Sequence, residues 1–107
     1  LGACVLGTPA DPNRGIGDDM AHFTDGEQIQ LRVDAHRAPA NARVSVDWLD
    51  AGLNTVGSEL RTTRNAEDLM TFAPPRELSP GFYRVRLRID GRLAQERRFE
   101  LSRARSL

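Results

Sequence analysis

Hydrophobic and polar positions alternate with a period of two over most of the chain. In Gln28-Ile29-Gln30-Leu31-Arg32-Val33-Asp34 the odd positions are apolar and the even ones polar. A strand with one face on a core and one in water has this pattern. Arg43 to Trp48 follows the same rule with Val44, Val46 and Trp48 inward, and Tyr83, Val85, Leu87 and Ile89 repeat it against Arg84, Arg86 and Arg88. Weaker strand patterns cover Val56 to Thr62 and Leu69 to Ala73. Turn-forming clusters separate these runs: Asp25-Gly26, Ala38-Pro39-Ala40-Asn41, Asp50-Ala51-Gly52, Pro74-Pro75 and Asp90-Gly91. No segment of helical length has a 3.6 period. The pattern therefore predicts an all-β, antiparallel sandwich of six or seven strands. Residues 7–19, rich in Gly, Pro and Asp, show neither period and are expected to form a flexible tether. The expected division is 1–22 as leader remnant and tether, 23–102 as sandwich, and 103–107 as an Arg-rich tail.

The hairpin at Asp90-Gly91 allows a sharper expectation. A plain two-residue turn would pair residues whose numbers sum to 181, and would turn Glu96 and Arg98 to the core. An even sum brings Leu93, Phe99 and Leu101 inside instead. Burying two charges costs more than a shorter loop gains. The even sum is therefore predicted, through a three-residue loop with Gly91 in the left-handed region, leaving Gln95 and Arg97 at the sheet margin.

Two short motifs resemble known families. Leu78-Ser79-Pro80-Gly81-Phe82-Tyr83, leading into the strongest strand, resembles the corner of immunoglobulin-like and fibronectin-type domains, where a Tyr hydroxyl bonds backbone a few residues upstream. Trp48 then stands where such folds keep a core Trp. The inter-sheet disulfide of antibody domains is absent, since the chain has one Cys. This points to the bacterial immunoglobulin-like modules. Leu1-Gly2-Ala3-Cys4 resembles the lipobox of bacterial lipoproteins. That resemblance implies lipidation of Cys4, Leu1 to Ala3 as the end of a signal peptide, and an anchor in the cell envelope, at the outer membrane facing the periplasm. The alternative is that Cys4 is a buried thiol in a short first strand.

Composition narrows the functions. With 107 residues, 39% hydrophobic and 28% charged, one domain with one modest core is expected. The 15 basic residues are all Arg and balance 15 acidic ones. They are unevenly spread: seven Arg face twelve acids up to residue 80, and eight Arg face three acids beyond it. No apolar run approaches the roughly 18 residues of a membrane-spanning helix.

The chief candidate site is an array of Arg84, Arg86 and Arg88 on one strand face, joined by Arg92 and Arg98 from the next strand and continued by Arg103 and Arg105. Guanidinium forks suit carboxylates or phosphates. The competing reading is a solubilising face partly neutralised by Glu96. Nucleic acid is not expected, because the array lacks interleaved aromatics. Copper ligation by His22, His36 and Met20, with Met70 as a further sulfur, is a weaker candidate. A hydrolase triad of His36, Ser45 and Asp47 or Asp50 has no nucleophile-elbow context, and Asp18-Asp19 or Asp47 with Asp50 lack the spacing of a calcium loop. No enzyme activity, cofactor or resident metal is expected. The function expected is a monomeric, non-enzymatic envelope lipoprotein that binds another protein or has a structural role; the alternative is a small copper or ligand carrier.

Overall fold

A computed structural model describes residues 4–16, 20–34, 41–63 and 69–103. They form eight strands: β1 (Cys4–Gly7), β2 (Ala21–Thr24), β3 (Gln30–Asp34), β4 (Arg43–Asp50), β5 (Thr55–Thr62), β6 (Leu69–Phe72), β7 (Gly81–Ile89) and β8 (Arg92–Ser102). A three-stranded sheet, β1-β3-β6, faces a five-stranded sheet, β2-β8-β7-β4-β5. All pairings are antiparallel except β2 with β8, which run parallel. The expected sandwich is present, with eight strands among the described residues where six or seven were expected.

The core lies where the alternation places it. Leu31 and Val33 of the small sheet, with Ile29 just before β3, form one core with Val44, Val46, Trp48, Val85 and Leu87 of the large sheet. Phe99 is fully buried and holds three aromatic contacts: Tyr83 stacked at 5.1 Å, and Phe23 and Trp48 edge-on at 5.7 and 6.1 Å. Tyr83 donates its hydroxyl hydrogen to the backbone carbonyl of Ser79, as the corner motif implies. Burial, and then the charge of Asp50, raises the Tyr83 pKa, so the hydroxyl stays protonated and able to donate.

The expected tether is a correction. Cys4 and Leu6 are buried in β1 and pair with Val33 and Leu31, so the sandwich already includes Cys4 and does not wait until residue 23. After β1 the chain folds back on itself. Thr8 and Asp11 exchange backbone hydrogen bonds of 3.0 and 3.1 Å, and Gly15 N–H donates to Leu6 at 2.9 Å. Arg14 fixes the segment to the β2–β3 turn through Glu27 at 2.7 Å, and its guanidinium lies 5.3 Å from the Phe23 ring centre. Glycine and proline, which read as linker, here shape tight turns. Four-residue strands such as β1 and β2 leave only two inward positions each, too few for a period to stand out.

The hairpin takes the even sum by a different route. Asp90 and Gly91 both have positive φ, 51° and 84°, so the turn has two central residues, and Arg88–Leu93 and Ile89–Arg92 pair with the sum of 181. A bulge beyond Arg88 then shifts the ladder, and Leu87–Gln95 through Gly81–Leu101 pair with the sum of 182. Phe99 and Leu101 are buried as expected, whereas Leu93, before the bulge, is 53% exposed. Gln95 and Arg97 are half-buried.

Candidate functional site

The Arg array lies on the open face of the five-stranded sheet. Cross-strand partners share a face, so the register defines rows. Arg84 stands opposite Arg98; Arg86 lies between Glu96 and Asp47; Arg88 lies between Leu93 and Ser45. Successive rows are about 7 Å apart. Arg92 is a correction: it pairs with Ile89, on the face that bears Val85 and Leu87, so the turn removes it from the array. Arg103 is an exposed residue just past β8, and Arg105 lies outside the described residues.

The array is largely neutralised within the sheet. Glu96 accepts from Arg86 Nε at 2.8 Å and from Arg84 at 3.3 Å, and Arg88 lies 3.7 Å from Asp47. The hydrogen bond from Arg86, helped by the charges of both arginines, holds the Glu96 carboxyl below its ordinary pKa. Arg98 has no carboxylate partner among the described residues. Exposed apolar side chains border the same face: Phe82 at 53%, Leu93 at 53% and Leu60 at 63%.

The other candidates separate. His22 is exposed on β2 with Nδ1 3.1 Å from Glu100. Met20 precedes β2, Met70 is buried in the core, and His36 lies outside the described residues. Ser45 faces out beside Arg88, Asp47 pairs with Arg88, and Asp50 accepts the backbone N–H groups of Gly52 and Asn54, each at 2.9 Å, which shapes the β4–β5 turn. Asp47 and Asp50 therefore have separate structural partners, and Asp18-Asp19 lies outside the described residues. Among the described residues no group of three or more His, Cys, Asp or Glu side chains is arranged to hold a metal ion. Cys4 is 3% exposed, and desolvation, moderated by the Arg97 charge, pushes its thiol pKa up to about 11.

One feature was not read from the sequence. A cleft of about 550 Å³ opens between the β2–β3 loop, the β6–β7 loop and edge strand β5. Buried Ile29, Leu78 and Leu101 lie at its base, with Gln30, Glu59 and Arg61 among its polar residues. Glu59 and Arg61 form an ion pair, and Arg61 lies 4.5 Å over the Phe72 ring, spanning the two sheet edges. These residues come from four distant segments, so no local motif announces the cleft.

No helix among the described residues is long and apolar enough to cross a membrane. No family model matches the chain, and no curated protein does. Among solved structures, the chain is similar to CopC from Methylosinus trichosporium OB3b, with a TM-score of 0.56 and 20% identity over 82% of this chain and 88% of that one. That likeness extends across the β-sandwich and is a likeness of fold.

Proposed function

We propose that the protein is a non-enzymatic module of the bacterial cell envelope that binds a protein partner through the open face of its five-stranded sheet. The observation that supports this reading is the face itself: an ordered Arg–carboxylate ladder flanked by exposed Phe82, Leu93 and Leu60. Ion pairs hold the arginines in place before any partner arrives, and apolar side chains at the borders offer surface that association would bury. Lipid anchoring at Cys4 and an outer-membrane address are proposed on the lipobox resemblance alone; the burial of Cys4 in β1 favours the buried-thiol alternative, so an anchored form requires β1 to open. A photocrosslinking residue in place of Leu60, in the chain expressed in its source organism, should yield one discrete envelope adduct. Absence of any discrete adduct overturns the reading.

A second reading, a small copper carrier, has more support from the structural comparison than the first, because the similar sandwich is that of CopC. The described residues fit copper only in part: they offer His22, the Glu100 carboxylate beside it and Met20 two residues upstream, so His36 would have to complete the set. Copper titration followed by NMR separates the readings. A carrier shifts His22, His36 and Met20 at near-stoichiometric metal, and His22→Ala weakens that binding; a chain unaffected by equimolar Cu(I) and Cu(II) is not a copper carrier.

A further inference from the structure

We infer that Arg84 and Arg98 form a slot for a single carboxylate of an acidic, extended segment in a partner protein, with an apolar side chain of that segment seated on Phe82. The inference rests on the partner-binding reading above.

The register makes Arg84 and Arg98 directly opposed neighbours on β7 and β8. Their Cβ atoms in such a pair are about 5 Å apart, and like charges so placed repel. Of the other arginines of the face, Arg86 has Glu96 and Arg88 has Asp47, while Arg43 stands apart at the start of β4, at the turn end of the sheet. Glu96 gives Arg84 only its longer, 3.3 Å contact, and Glu100, the next acid along β8, lies beside His22. Where β7 and β8 carry opposed arginines, the face is therefore short of negative charge. One carboxylate between them would relieve the repulsion and accept from both forks. The next row is Phe82 opposite Glu100, about 7 Å away, and the Phe82 ring is 53% exposed. Residues two apart in an extended segment have the same spacing. A protein segment with an apolar residue two positions from its acid matches both features, whereas a bare phosphate matches only the charge.

The test uses the full chain, isotope-labelled, with a capped pentapeptide of sequence leucine-serine-glutamate-serine-leucine as probe. Inorganic phosphate, and vesicles of phosphatidylcholine with phosphatidylglycerol, are the comparison arms. The peptide should saturate shifts at Phe82, Arg84 and Arg98. Arg98→Glu should weaken it by about tenfold or more, the loss expected for a charge-assisted hydrogen bond. The same substitution should raise the melting temperature, because it places a carboxylate opposite Arg84; a purely structural arginine would not couple lost binding to gained stability. Arg92→Glu makes the same charge change off the face and should leave binding unaltered. Equal weakening by Arg92→Glu, phosphate binding as tight as the peptide, or vesicle binding in place of peptide binding would each overturn the slot. Persistence of the Leu60 photocrosslink in Arg98→Glu, with no peptide binding to the parent chain, would reject the slot and leave the partner-binding reading standing.

Discussion

Arg97 on β8 donates a 3.0 Å hydrogen bond from Nε to the backbone carbonyl of Cys4, 93 residues away at the start of β1. Its other two nitrogens are occupied by the carbonyl of Glu96 at 2.9 Å and the side-chain oxygen of Gln95 at 2.7 Å. One side chain thus ties the first strand of the small sheet to the last strand of the large one. The Cys4 thiol itself is packed in the core.

That placement makes the thiol unreactive. At pH 8 the folded chain should react with a disulfide reagent at least about a hundredfold more slowly than the unfolded chain, since burial removes both access and thiolate. Comparable rates would show that β1 is open. Lipidation of Cys4 is tested separately, by radiolabelled palmitate in cells expressing the full-length gene. A thioether has no room at a buried Sγ, so a labelled protein requires β1 to leave β3. Failure to label overturns the anchor.

Trp48 is fully buried, yet its indole N–H has no hydrogen-bond partner among the described residues. Trp48→Ala should cost about 3–5 kcal/mol in denaturant unfolding. Trp48→Phe should cost far less, within about 2 kcal/mol of the parent, because it also removes an unsatisfied buried donor whose desolvation costs about 1–3 kcal/mol. Equal costs for the two substitutions would mean that the indole nitrogen is satisfied in solution.

Acid should loosen the N-terminal segment through Glu27. The hydrogen bond from Arg14 lowers the Glu27 pKa from 4.5 to about 2. A folded value below the unfolded one stabilises the native state above the unfolded pKa, and that contribution is lost as pH falls from about 4.5 through about 2. Arg14→Gln should flatten the pH dependence of stability in this window and leave it unchanged near neutrality. An identical acid profile for parent and variant would refute the assignment.

The bulge in β8 yields a prediction against ordinary expectation. Deleting Ala94 removes the extra residue and leaves Leu87–Gln95 and Tyr83–Phe99 paired as they are, so the fold should survive with a stability change of about 1 kcal/mol or less. Deleting Val46 from central strand β4, which has no such slack, turns the inward side chains outward and should unfold the domain. Thermal melts of the two deletions decide it; loss of folding on deleting Ala94 would mean the bulge itself holds the sheet together.

The period-two runs determined the inner faces of β3, β4 and β7 without any tertiary information, because each spans enough residues for the alternation to define a side. Trp48 and the Tyr83 corner were legible for the same local reason: their neighbours in sequence set their orientation. Tertiary structure alone decided the rest. β1 and β2 contribute two inward side chains apiece and are strands only because β3 and β8 offer free edges. The turn at Asp90-Gly91 and the later bulge have the same sum as a three-residue loop, so the register of the long ladder could be read while the place of the slip, and with it the exposure of Leu93 and the removal of Arg92 from the face, could not. Which arginines have a carboxylate neighbour depends on pairing across two strands, a relation between distant segments that no local pattern encodes.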